Sequence, residues 1–189
     1  MRRWLRGFRP KAVGKRNFSG DLFQRFIGLD PLLDEAEGGS VLDIGSNEGL
    51  ISYEFAKAGA RTLHGFERDR DRVLFARRLF RDVPAQSHFD TANMAVSGSD
   101  FAKAHGDVLL PKYDIVLFLG VYHHLIGQTP RENVDDLVVS LLDRAETWFA
   151  VRTNMLDDFE SVITNHNFER THETPSNGTV GLLRLYRRV

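Results

Sequence analysis

Val41-Leu42-Asp43-Ile44-Gly45-Ser46-Asn47-Glu48-Gly49 decides how the rest of the chain is read. The run from Val41 to Ile44 is short, mostly apolar and flanked by glycines, which predicts a buried parallel strand. Gly45 then permits a sharp turn and a close approach of backbone to ligand. Gly49 opens the helix that follows. An acid, Asp43, stands two residues before the first glycine. This is not the G-x-G-x-x-G of a dinucleotide site, because Asn47 and Leu50 occupy the other glycine positions. It is not a P-loop either, since no Gly-Lys-Ser/Thr follows. Asp43 and Glu48 would repel a diphosphate and suit a cationic ligand.

Outward from this stretch, strands and helices alternate. Residues 49–60 have helical spacing, with Ile51, Phe55 and Ala58 on one face. Residues 61–66 read as a second strand, 69–82 as a helix with an Arg-rich outer face, and 88–96 as a third strand. Residues 113–120 carry Ile-Val-Leu-Phe-Leu, the most hydrophobic strand of the chain. Thr129-Pro130-Arg131-Glu132 reads as a capping box, opening a helix with Val134, Leu137, Val138, Leu141 and Leu142 inward. Residues 148–152 form a fifth strand and 157–165 a helix. Residues 168–171 and 182–189 then form an antiparallel hairpin about Pro175-Ser176-Asn177-Gly178. Upstream, Ser19 is a plausible N-cap for a helix bearing Leu22, Phe23, Phe26 and Ile27. Asp30-Pro31 starts another, stopped by Glu37-Gly38-Gly39.

This order predicts an α/β fold: a doubly wound, mostly parallel seven-stranded sheet in a three-layer sandwich, with a C-terminal antiparallel hairpin at one edge. The expected organisation is a basic arm (1–20) and a single domain (21–189). Within the domain, 21–38 would be a helical cover and 40–189 a Rossmann-like core. That is close to the minimum length for such a fold. The segments 1–38, 97–112 and 125–130 are left to shape a substrate pocket.

Composition bounds the chemistry. The chain has 189 residues, 42% of them hydrophobic, which suits one domain with a sizeable core. There is no cysteine, which excludes disulfides, thiolate metal sites and Cys nucleophiles. No apolar run approaches the roughly 20 residues that span a bilayer. No apolar stretch follows the basic start, so a secretory signal is not expected, and the expected location is cytoplasmic. The net charge of −1 hides an asymmetry. Seven of the 25 basic side chains and none of the 26 acidic ones fall in residues 1–20, leaving a body of net charge −8. Trp4, Leu5 and Phe8 among the arginines would make 2–9 an amphipathic surface helix that Pro10 stops.

A second acid, Glu67, ends the second strand 22 residues after Gly45. A carboxylate there can accept both hydroxyls of a ribose. D-x-G-x-x-x-G after one strand and an acid ending the next resemble the first motifs of class I S-adenosylmethionine-dependent methyltransferases. The resemblance implies S-adenosylmethionine as cofactor and S-adenosylhomocysteine as product. By it, Asp43, Gly45 and Ser46 line the methionine part, Asn47 and Gly49 are further cofactor-binding residues, and Glu67 binds the ribose. Asn93 and Met94 flank the adenine, with Asp90 as a competing candidate, and Phe66 or Arg68 covers the ring.

The fourth strand ends Leu119-Gly120-Val121-Tyr122-His123-His124-Leu125, similar to the family's segment beside the reactive methyl. The resemblance places Leu119 and Gly120 against the cofactor and makes Tyr122, His123 and His124 the catalytic candidates. Neutral histidine can accept a proton near pH 7. Two adjacent side chains on a loop are expected to diverge, with His123 facing inward. The pair lacks the i, i+4 spacing of a metal site, so no metal is expected. The N-P-P-[YF] pattern of adenine-N6 enzymes is absent. The expected acceptor is a small molecule, with RNA possible through the basic arm and a membrane surface less favoured. The contrasting reading is a methyltransferase-like protein that binds the cofactor without turnover. A nicotinamide oxidoreductase is disfavoured by the glycine spacing.

Overall fold

The computed structural model describes residues 21–155, 160–175 and 181–189. The expectations for the basic arm, the 2–9 helix, Ser19 and the Ser176-Asn177-Gly178 turn lie outside them. Short helices α1 (Asp21–Phe26) and α2 (Asp30–Asp34) precede β1 (Ser40–Ile44), α3 (Leu50–Lys57), β2 (Thr62–Glu67), α4 (Arg70–Leu79) and β3 (Gln86–Thr91). Then come α5 (Gly98–His105), β4 (Tyr113–Leu119), the one-turn α6 (Tyr122–Leu125), α7 (Arg131–Arg144) and β5 (Ala145–Thr153). The chain closes with α8 (Glu160–Thr164), β6 (Phe168–Thr174) and β7 (Leu182–Arg188).

The strands form one sheet in the order β3-β2-β1-β4-β5-β7-β6. β1 to β5 run parallel, and β7 is antiparallel to both β5 and β6. The chain winds outward from β1 to β3, then returns to the other side of β1 with β4 and β5. The order therefore reverses between β1 and β4, and the crevice beyond their C-terminal ends is where such sheets take ligands. Strand alternation gives two cores. Leu42, Ile44, Val116, Phe118 and Phe149 face Leu137, Val138 and Leu141 of α7. Val41, Ile115, Leu117, Trp148 and Ala150 share the other core with Leu32, Phe55 and Val73 of the N-terminal and α3–α4 helices. This is the three-layer sandwich that the element order predicts.

Three local expectations are corrected. The third strand spans Gln86–Thr91 rather than 88–96. Its register follows β2 from Thr62↔Gln86 to Glu67↔Thr91, so it ends where β2 ends. Residues 97–112 are not a pocket-forming loop. They contain α5, capped by Ser97 Oγ, which accepts from Asp100 N at 3.1 Å, and anchored by Phe101 in the core. Thr129 does not close a capping box. α7 begins at Arg131 with Pro130 at the cap position, and Thr129 Oγ1 instead accepts from Asn133 Nδ2 at 2.9 Å. A proline directly before the helix carries the extended dihedrals of the cap itself.

Candidate active site

The turn after β1 is built by its backbone. Gly45 N and Ser46 N both donate to Phe66 O, at 2.8 and 3.1 Å, folding the turn onto β2. Gly45 has φ 76°, and a Cβ on it would fall on the Val121 side chain. A larger residue would therefore be strained by its backbone and clash at once. Gly49 also needs its glycine, for another reason. With φ 72°, a Cβ there would sit 2.9 Å from Ala76 Cβ, so Gly49 lets α3 close against α4.

Two carboxylates stand on this side. Asp43 is buried, and its Oδ2 accepts from Ser52 Oγ at 2.6 Å. Burial pushes its carboxyl up to about 6, the Ser52 hydrogen bond pulls the other way, and the Glu67 charge adds to the rise. Glu67 is fixed by main chain. Its Oε2 accepts from Asn47 N and its Oε1 from Asp69 N, both at 3.0 Å. The two amides orient the carboxylate and leave each oxygen a further lone pair. Between the two acids, Ser46 Oγ is buried without a hydrogen-bond partner.

These groups open on one cavity of about 480 Å³. Of the residues the sequence assigns to the cofactor, Asp43, Gly45, Ser46, Asn47 and Glu67 line it on the β1–β2 side. Asn93 and Met94 line it beyond β3, and Leu119 and Gly120 at the end of β4. Arg68 crosses the mouth, donating from Nη1 to Gln128 Oε1 at 3.1 Å. The structure does not bring Gly49 to the cavity wall.

His123 and His124 both line the cavity, their rings 4.0 Å apart and tilted by 45°. They do not diverge as a loop pair would, because they sit on α6 and share its cavity-facing side. Burial, with the neighbouring His124, lowers the basicity of His123 and favours its neutral imidazole. Tyr122 takes the opposite direction. It is wholly buried in the core beside α7 and does not line the cavity.

Sequence reasoning missed Arg152, which lines the cavity from the end of β5, and Arg25 and Arg72, which line it from outside the sheet. The signal for Arg152 was present: one arginine closing the apolar run Trp148-Phe149-Ala150-Val151. No helix among the described residues is long and apolar enough to cross a membrane.

No protein-family model matches the chain, and no curated protein sequence does. Solved structures do. The magnesium protoporphyrin IX methyltransferase of Synechocystis PCC 6803, crystallised with bound S-adenosylmethionine, aligns over 93% of this chain and 86% of its own, at 20% identity and TM-score 0.67. TehB from Haemophilus influenzae aligns over 85% of this chain and 61% of its own, at 13% identity and TM-score 0.64. A putative RNA methyltransferase from Pyrococcus horikoshii aligns over 87% and 80%, at 16% identity and TM-score 0.59. At such identities the likeness is one of fold: the chain has the class I methyltransferase fold, including the antiparallel β5-β7-β6 edge.

Proposed function

We propose that the chain is an S-adenosylmethionine-dependent methyltransferase that moves a methyl group by direct displacement to a small-molecule acceptor. The observation that carries the reading is Ser46 Oγ, a buried hydroxyl without a partner on the cavity wall. Buried polar atoms are normally satisfied, and an orphan on a concave wall marks a place where a ligand completes the bond. The surrounding residues fit this cofactor. Glu67 has free lone pairs for two ribose hydroxyls, and Asp43 offers negative charge to a sulfonium. Neighbours of the same fold are crystallised with S-adenosylmethionine and with S-adenosylhomocysteine, the expected product.

When bound, the cofactor supplies an electrophilic methyl carbon on a positively charged sulfur. The protein's part is placement and proton transfer. The amides of Asn47 and Asp69 hold the Glu67 carboxylate in one orientation, which fixes the adenosine end. Leu119, Gly120 and Val121 form the wall beyond β4 and exclude water. His123 accepts a proton from an acceptor atom that must lose one, with the His124 ring 4.0 Å away. Tyr122, inside the core, holds α6 in place and takes no proton.

Calorimetric titration with S-adenosylmethionine and S-adenosylhomocysteine tests the reading. Both should bind. No heat from either at about 1 mM, equivalent to roughly −4 kcal/mol, sinks it. A search of labelled extracts for methylated product then separates an active enzyme from a cofactor-binding protein without turnover. Cytoplasmic location belongs to the same proposal, as does RNA as an alternative acceptor. The RNA alternative is supported by the seven basic residues of 1–20 and opposed by a body of net charge −8.

A further inference from the structure

Arg152 is the side chain the fold least explains. It is the penultimate residue of β5, is only 2% exposed and lines the cavity. Its parity along the strand matches Trp148 and Ala150, so it lies on the sheet face that also carries Asp43 and Leu117. Nη1 donates to Arg25 O at 2.7 Å and Nη2 to Ile27 O at 3.0 Å. Those bonds tie the N-terminal helical cover to the sheet. They use two of the guanidinium's five N–H donors. Nε is buried and has no partner.

A buried cation is ordinarily paired with an acid or a ligand, because removal from water is costly. Here the charge acting on it is a second cation, Arg25, which also lines the cavity. Burial and Arg25 lower the guanidinium to about 10, so it remains charged at pH 7. Of the four arginines that line the cavity, Arg25 and Arg152 stand together, and Arg152 forms no ion pair with a carboxylate among the described residues. Arginine's planar fork matches a carboxylate with two parallel hydrogen bonds.

Position says which end of the reaction this charge serves. β5 lies two strands from β1 and three from β2. At roughly 4.8 Å per strand, Arg152 is about 10 Å from Asp43 and about 14 Å from Glu67 across the sheet. Asp43 and Glu67 thus lie on one side of β4 and Arg152 on the other. Arg152 O also accepts from Gly120 N at 2.9 Å, which joins this arginine's backbone to the turn that leads into His123 and His124.

We infer that Arg152, with Arg25 beside it, is a subsite for a carboxylate on the methyl acceptor, which makes the acceptor a small organic anion. The inference deepens the methyl-transfer reading and rests on it for the word acceptor. The test titrates benzoate, and separately its neutral amide benzamide, into the protein alone and into protein saturated with S-adenosylhomocysteine. Benzoate should bind in both, and benzamide in neither. Arg152→Gln should weaken benzoate by about tenfold or more while S-adenosylhomocysteine affinity stays within about twofold. Arg25→Gln, at an exposed side chain, should give a smaller loss of the same sign. It carries the test if circular dichroism shows that Arg152→Gln does not fold. Equal binding of benzoate and benzamide, or no benzoate binding, overturns the inference. So does a parallel loss of S-adenosylhomocysteine affinity in Arg152→Gln, which would assign the arginine to the cofactor's own carboxylate. Benzoate results as expected, with no cofactor binding by the unaltered protein, would remove the methyl-transfer reading and leave the anion subsite.

Discussion

The two sides of the cavity are built by different means. On the β1–β2 side the main chain does the positioning. Gly45 N and Ser46 N lock onto Phe66 O, and the amides of Asn47 and Asp69 hold Glu67. On the β4–β5 side, side chains from distant parts of the sequence meet: His123, His124, Arg152 and, from before β1, Arg25. A wall made by consecutive backbone groups constrains residue type at fixed spacing. A wall made by long side chains leaves spacing free. The first kind suits a ligand that is always the same, and the second a ligand that differs from one protein of the fold to the next.

The sharpest way to break this contrast is Gly45→Val. A β-branched residue at φ 76° is strained, and its Cβ would fall on Val121. Affinity for S-adenosylhomocysteine should drop by at least about 100-fold, roughly 3 kcal/mol, by calorimetry, with the circular-dichroism spectrum retained. Normal affinity would show that the turn does not shape the site. Glu67→Ala comes next. It deprives the Asn47 and Asp69 amides of their acceptor and leaves ribose hydroxyls unpaired, so affinity should fall by about 1–3 kcal/mol. Glu67→Gln, which keeps one accepting oxygen, should lose less. Equal losses in the two variants would mean that the carboxylate only supports the turn.

The same contrast governs what could be read from the residues alone. The strand order, the Asp43–Gly45–Gly49 turn and Glu67 follow from local rules of strand, glycine and terminal acid, and they stand at the cavity or beside it. The spacing puts Gly49 at the ligand, yet its freedom serves the approach of α3 to α4; spacing alone cannot tell a glycine that admits a ligand from one that admits a helix. Tyr122 adjoins the histidines in sequence, but on α6 it faces the core while both histidines line the cavity. α5 was hidden in a stretch read as loop, although Ser97 followed three residues later by Asp100 is a capping signal. Arg152 is marked in the sequence only as a lone arginine ending an apolar run, and its meeting with Arg25, 127 residues away, exists only in the folded chain.

A smaller effect sharpens the charge side of the comparison. Asp43, near 6 rather than the usual 3.8, binds a proton more readily folded than unfolded. Its contribution to stability is therefore full below pH about 3.8 and lost as pH rises towards 6. Ligand binding runs the other way. A sulfonium gains from ionised Asp43, so the preference for S-adenosylmethionine over its neutral product should rise about tenfold between pH 5 and 8, with its midpoint near 6 or below. Asp43→Asn should flatten both slopes, the first read by thermal melts and the second by paired titrations. An unchanged preference across that range would place the sulfur away from Asp43.

The smallest expected difference concerns how the helices of the two sides begin. Beside Glu67, Asp69 caps α4, its Oδ1 accepting from Asp71 N at 2.9 Å and Arg72 N at 3.4 Å. At the start of α7 no side chain caps the helix, and Thr129 reaches only Asn133 Nδ2. Asp69→Ala should therefore cost about 1 kcal/mol in urea unfolding, because it orphans two helix donors. Thr129→Ala should cost a few tenths at most, since Asn133 can turn its amide to water. Each variant removes one oxygen acceptor near a helix start, so a comparable loss in both would mean that Thr129 does cap α7 in solution. The Thr129-x-x-Glu132 signal would then be as effective on the β4–β5 side as Asp69 is on the β1–β2 side, and the divide between a backbone-built wall and a side-chain-built wall would stop at the cavity instead of extending into the helices behind it.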